Sequence, residues 1–173
     1  ISRFVERNID KHELYNNKEY LPELAKKMLV RKVINENEDL LDIFKKVKDN
    51  TNFIDKICSY IDSASSNLIT PSTILKAYDT EDFLKKKLNE FGNIYNKVEE
   101  NLKDRFVQSK DELEYYINKV DSIKENEYFF NEYNNFSKQE LKFIEKLLRL
   151  NANITISLDL DEDMYNIEQG GIY

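Results

Sequence analysis

Three glycines and two prolines in 173 residues leave this chain few places to turn. These residues punctuate helices and strands most strongly, so their scarcity predicts long helices. The apolar pattern agrees, recurring at steps of three and four as on one face of an α-helix. Ile1, Phe4 and Val5 mark a helix end over residues 1–9, and residues 10–20 read as a polar loop. Pro22 suits the first position of a helix, where its missing N–H has no partner to lose. Leu24, Ala25, Met28, Leu29, Val33 and Ile34 follow at helical spacing. A second helix is predicted through Leu40, Leu41, Phe44 and Val47, and a third through Phe53, Ile54, Ile57, Cys58 and Ile61. Residues 62–69 read as a Ser/Ala/Asn loop, and Thr70-Pro71 then caps and starts a short helix. A long helix is expected from Thr80 to about Lys103, with Leu84, Leu88, Phe91, Tyr95, Val98 and Leu102 as its seam. That seam is read as intramolecular core, with a coiled-coil dimer as the alternative. Gly92 within it marks a close approach.

Two capping boxes open the helices that follow. Ser109-Lys110-Asp111-Glu112 precedes Leu113, Tyr116, Ile117 and Val120, and Ser137-Lys138-Gln139-Glu140 precedes Leu141, Ile144, Leu147 and Leu148. Tyr128-Phe129-Phe130 reads as a strand, and residues 153–160 alternate apolar and polar as a second. Strand, helix and strand predict a βαβ unit with parallel strands near 127–131 and 153–159. Two strands are too few for a stable sheet, so the remaining ones are expected outside this sequence. The chain opens on Ile1, which fits the same expectation of an internal segment. The expected fold class is mainly α, with a helical bundle over 1–125 and a βαβ piece over 126–173.

Eleven Tyr and ten Phe are too many aromatics for a chain that never buries them. No run is long and apolar enough to read as a membrane-spanning helix. Cys58 is the only cysteine and His12 the only histidine, which excludes an intrachain disulfide and a zinc site built from Cys and His. Cys58 falls on an apolar helix face and is expected to be buried; His12 lies among polar residues and is expected to be exposed and idle. The net charge of −7 argues against strong autonomous nucleic-acid binding but leaves room for a local basic stripe.

No glycine-rich phosphate loop is present, and Gly170-Gly171, with no helix after it, reads as a tail. Asp159, Asp161, Glu162 and Asp163 lack the glycine and spacing of a calcium loop and read as a solvated acidic loop. Lys26, Lys27, Arg31 and Lys32 share one helix, Lys85, Lys86 and Lys87 another, and Lys103, Arg105 and Lys110 follow. They read first as the solvated backs of amphipathic helices; contact with a phosphate backbone is the alternative. The most suggestive stretch is Tyr128-Phe129-Phe130-Asn131-Glu132-Tyr133. Many nucleotide hydrolases end an apolar strand in Asp-Glu, the first acid holding Mg²⁺ and the second polarising water. Asn131 stands at the first position, and a neutral amide is a poor ligand for a hard cation. With Glu132 at the second, the site is half present.

The chain resembles the AddB (RexB) family, the B subunit of the bacterial ATP-dependent helicase–deoxyribonuclease. Residues 1–7 are similar to the family's Ser-Arg-Leu-Ala-x-Arg segment, and Lys26 to Lys32 to its Gly-Lys-x-Met-Leu-Leu-Arg segment, with Lys26 in place of glycine. Residues 87–95 resemble Lys-Leu-x-Asp-Ile-x-x-Ile-Tyr, and residues 130–148 resemble the family's Val-Asp-Gly-Phe-x-x-Phe-Thr-Pro-Gln-Glu helix. The resemblance implies a helical subdomain of type 1B inserted into a RecA-like domain of a superfamily-1 helicase. The re-entry into the sheet would fall at the degenerate motif of Asn131 and Glu132. It also implies a cytoplasmic, non-catalytic segment that serves as scaffold and contacts DNA in double-strand-break processing. Scattered basic residues on a chain of net charge −7 predict that this contact is weak when the chain is isolated. The A subunit would be its partner. ATP, Mg and an iron–sulfur cluster would be handled outside these residues, the phosphate loop upstream and the nuclease downstream. A helical interaction module without direct DNA contact is the alternative.

Overall fold

The computed structural model describes residues 1–76, 82–123, 127–131, 133 and 135–157. Glu132, the acidic cluster at 159–163 and Gly170-Gly171 lie outside the described residues. The described part is 66% helix, in eight α-helices. These are α1 (Ser2–Asn8), α2 (Lys11–Tyr15), α3 (Glu23–Glu36), α4 (Thr51–Ser66), α5 (Pro71–Leu75), α6 (Asp82–Leu102), α7 (Ser109–Lys119) and α8 (Lys138–Arg149). Four short strands accompany them: β1 (Glu19–Tyr20), β2 (Phe106–Val107), β3 (Glu127–Phe130) and β4 (Asn153–Ile156).

The predicted βαβ unit is present. β3 and β4 pair in parallel, with Glu127 opposite Asn153 and Phe130 opposite Ile156, and α8 crosses between them. Ser137 caps α8 as its sequence suggests. Its Oγ accepts the Glu140 N–H at 3.3 Å, while the Glu140 carboxylate accepts the Ser137 N–H at 2.8 Å. Gly92 is also a close approach. A Cβ there would lie 2.8 Å from Leu75 Cδ2 and 2.9 Å from its Cγ, so α5 packs directly on the α6 backbone.

Several local expectations are corrected. Residues 10–20 are not a loop: Asp10 accepts the N–H groups of His12 and Glu13 and starts α2, and β1 pairs in parallel with β2. Pro22 is the N-cap of α3, one position before the first turn. The helix through Leu40 and Val47 is replaced by two 3-10 turns, Glu38–Leu40 and Phe44–Lys46. The loop expected from residue 62 begins only at Asn67, because α4 runs on to Ser66. The capping box of α7 is shifted by one residue: the Asp111 carboxylate accepts the Gln108 N–H at 2.8 Å. The seam of α6 holds in its second half, at Tyr95, Val98 and Leu102, and fails at its start. Leu84 is exposed, while Glu90, Ile94, Tyr95, Val98 and Leu102 are buried.

The apolar side chains gather into two cores. One is built by α3, α4 and α6, with Val30, Val33, Ile34, Ile57, Ile61, Ile94 and Val98 at its centre. The other joins Val5 of α1, Leu113 and Tyr116 of α7, Phe130 of β3, and Phe143, Ile144 and Leu147 of α8. Aromatic edges knit the second core, Tyr116 meeting Phe143 at 5.2 Å between ring centres. Packing groups α1 and α7 with the βαβ unit in this second core. Each core places an α-helical layer on a face that would otherwise meet water, and burial of each large side chain contributes about 1.5–3 kcal/mol.

Candidate nucleic-acid interface

The two basic clusters fare differently in the fold. On α3, Lys26 is only 7% exposed and its ammonium bonds the Asp62 carboxylate of α4, so it is not a surface cation. The aliphatic stem reaches into the α3–α4 seam, and a buried ammonium requires such a partner. Lys27 bridges Glu23 at 3.0 Å and Asp55 at 3.1 Å. Hydrogen bonds to Glu23 and then to Asp55 raise its pKa above the ordinary lysine value. Lys32 lies 3.7 Å from Glu36, and Arg31 is exposed. The α3 set is thus largely committed to carboxylates of its own bundle.

The α6 set differs. No residue of α6 before Glu90 is buried, so its first half stands out from the bundle, flanked by α5. Phe83 is 61% exposed there, beside exposed Leu84 and Lys86 and half-buried Lys85 and Lys87. The Lys87 ammonium sits 4.7 Å above the Phe83 ring centre. An exposed aromatic among cations offers a stacking face and a charge on one helix turn, the pairing that single nucleic-acid strands use.

Asn131 directly follows β3 and is exposed. The strand end is held by the Ser157 N–H, which donates to the Phe130 carbonyl at 2.8 Å. A neutral amide at this position is a poorer ligand for Mg²⁺ than a carboxylate. Among the described residues no group of three or more His, Cys, Asp or Glu side chains is arranged to hold a metal ion. A single cysteine cannot hold an iron–sulfur cluster, which takes four thiolates. His12 is exposed and Cys58 is 5% exposed, both as expected, and burial pushes the Cys58 thiol up. No described helix is long and apolar enough to cross a membrane.

Sequence reasoning missed the buried acids. Glu90, 6% exposed, accepts the backbone N–H groups of Asp42, Ile43 and Phe44, each at 2.9 Å. Its signal was legible as spacing: 90, 94, 98 and 102 recur at steps of four along the buried stripe. Glu112, 5% exposed, accepts the Tyr15 hydroxyl at 2.8 Å, and burial together with that bond raises the Tyr15 pKa. No spacing links residues 97 apart, so this pair has no local signal.

A helical bundle is thus joined to a parallel βαβ unit, with an exposed aromatic among lysines at one helix end and an exposed amide, Asn131, after β3. The chain belongs to the family "ADDB, N-terminal", whose model matches residues 9–171. Curated relatives, each named as the B subunit of an ATP-dependent helicase/deoxyribonuclease, are similar to it. The Clostridium botulinum protein is 30% identical over 147 residues, covering 82% of this chain and 13% of that protein. The Bacillus pumilus protein is 27% identical over 161 residues, covering 87% and 14%. The Alkaliphilus oremlandii protein is 28% identical over 160 residues, covering 85% and 14%. The chain therefore spans about one-seventh of the length of these relatives.

Proposed function

We propose that this chain is a non-catalytic segment of the B subunit of a cytoplasmic helicase–deoxyribonuclease, serving in double-strand-break processing as scaffold and DNA contact. In this reading the bundle is a 1B-like insertion and the βαβ unit is part of a larger RecA-like sheet. Phe129, 73% exposed on the outer face of β3, supports the second assignment, because further secondary structure would cover it. ATP and Mg²⁺ belong to residues outside this segment, as does the iron–sulfur cluster, and the A subunit is the partner. The observation that carries the DNA contact is the projecting half of α6, with Phe83 beside Lys85, Lys86 and Lys87.

The test is fluorescence anisotropy of a labelled single-stranded oligonucleotide at rising salt. Binding is expected to be weak, without sequence preference, and lost steeply with salt, because phosphate contacts release counterions. Replacing Lys85, Lys86 and Lys87 by alanine should flatten the log–log salt slope by about 2. Phe83→Ala should weaken binding by about 1–3 kcal/mol, the range of one base–aromatic stack. A tight, salt-insensitive complex, or unchanged affinity in both variants, overturns the assignment.

A second reading, a protein-interaction module without DNA contact, is favoured by Leu24 and Met28 of α3, 70% and 66% exposed and one turn apart. Met28→Glu would then abolish capture of the purified A subunit and leave the oligonucleotide titration unchanged. Loss of oligonucleotide binding on α6 substitution excludes that reading.

A further inference from the structure

The two cores are connected by the chain at two points, and those points lie side by side. The chain enters the bundle through β1 and leaves it through β2. The Glu19 N–H donates to the Arg105 carbonyl at 3.1 Å and the Leu21 N–H to the Val107 carbonyl at 2.9 Å. Left-handed Asn16 and Asn17, with φ of 35° and 69°, turn the chain into β1. Around this pair, Lys18 Nζ donates to the Lys103 carbonyl at 2.7 Å, and the Tyr20 hydroxyl lies 3.0 Å from Ser109 Oγ.

On either side of the crossing the bodies are separated by a cleft. One, of about 780 Å³, lies between Asp62 and Ser63 of α4 and Ser109 and Gln139 of α7 and α8. The other, of about 380 Å³, lies between Asn96 and Glu100 of α6 and Leu14 and Asp111 on the opposite body. The larger cleft is lined chiefly by hydroxyls, amides and charged groups, and apolar packing is confined within each body. Two bodies meeting through a small polar interface move relative to one another unless something fastens them. The fastening is visible. Lys110 of α7 reaches Glu99 of α6, with Nζ 2.7 and 2.8 Å from its two carboxylate oxygens. Across the larger cleft, the Lys138 N–H reaches Asn67 Oδ1 at 3.4 Å, beyond the length of a good hydrogen bond.

We propose that the bundle and the βαβ body move as two rigid units about the β1–β2 pair, with the Glu99–Lys110 ion pair latching the observed arrangement. Rotation about a crossing flanked by two clefts widens one as it narrows the other. Two hydrogen-bonded strands of two residues form a narrow hinge, since a few element-terminal residues absorb such a rotation. The latch joins Glu99, which lines the smaller cleft, to Lys110, which lines the larger, so losing its charge releases the observed arrangement without touching either core.

Double electron–electron resonance on the full 173-residue chain, with Cys58→Ala and pairs of introduced cysteines, tests this. Labels at Arg31 and Lys142 span the two bodies. Labels at Arg31 and Lys97 lie within the bundle, and labels at Asn8 and Lys142 within the other body. All four positions are exposed. The spanning distribution is expected to be broader than both internal ones, and Glu99→Gln is expected to shift it while the internal pairs stay narrow. A spanning distribution as narrow as the internal pairs overturns the proposal, and so does one that Glu99→Gln leaves in place. Lys110→Gln gives a second, independent removal of the latch, read in the same way.

Discussion

Replacing Glu90 by alanine removes the acceptor of three backbone N–H groups at once. Oε1 accepts from Asp42 and Ile43 and Oε2 from Phe44, all at 2.9 Å, and the side chain is 6% exposed. A hydrogen bond to a charged group contributes about 1.5–3 kcal/mol net, and an N–H left dry costs about 1–3 kcal/mol. The three donors sit on a segment that is exposed at Asp42 and half-buried at Ile43 and Phe44, so water replaces part of the loss. The expected cost of Glu90→Ala is therefore about 3–5 kcal/mol, well above the ordinary substitution. Glu90→Gln keeps one oxygen and turns an amide N–H₂ toward a donor, so it should fall between parent and alanine, at about 2 kcal/mol. Urea unfolding measures the totals, and amide hydrogen exchange at residues 42–44 measures where the loss occurs. A cost for Glu90→Ala below about 1 kcal/mol, or unchanged protection at those amides, would refute the view that Glu90 organises this segment.

Gly92→Ala should destabilise by about 1 kcal/mol despite a gain in helix propensity of about the same size, because its Cβ presses on Leu75; a higher urea midpoint would contradict the close packing of α5 on α6. The Tyr115 hydroxyl donates to Glu13 at 2.5 Å, which pushes the phenol up to about 12 and is the leading cause of the lowered Glu13 pKa. Tyr115→Phe should remove one phenol titrating near 12 and return the Glu13 carboxyl, followed by NMR, toward the ordinary glutamate range. The signs differ. Tyr115 contributes stability below the ordinary phenol range that is lost as pH rises through about 12, and Glu13 contributes stability above the ordinary glutamate range that is lost as pH falls through its depressed value. Cys58, buried and with its pKa raised, should react with an aromatic disulfide reagent slowly in the folded chain and quickly in urea. Calorimetric titration of the 173-residue chain with Mg·ATP should show no heat of binding, and Asn131→Asp should not create any, because one strand-end carboxylate does not supply the phosphate-cradling amides and lysine that hydrolysis requires; measurable turnover in either protein would sink this.

What the residues determined by themselves were the features with local physics. The βαβ unit was legible because a short apolar run, a Ser137/Glu140 box and an alternating run each signal their element within a few residues. Gly92 was legible because a glycine inside an amphipathic helix calls for a packing reason, and Leu75 supplies it. Family membership was legible because segments spread along the chain keep their pattern, and the match to residues 9–171 bears it out. Tertiary structure alone decided where charges end up. Lys26 looks like Lys27 in sequence, yet the fold buries Lys26 and pairs its ammonium with Asp62, 36 residues away. The helix expected through Leu40 and Val47 gave way because Glu90, 46 to 48 residues further on, takes the N–H groups of Asp42, Ile43 and Phe44, and a carboxylate on three successive amides holds a turn in place of helical bonding. The β1–β2 pair joins residues some 87 apart through two residues each, too short for any alternation to show. Periodicity reports which face of an element is apolar; it carries no information on which distant partner a buried charge or a two-residue strand will meet.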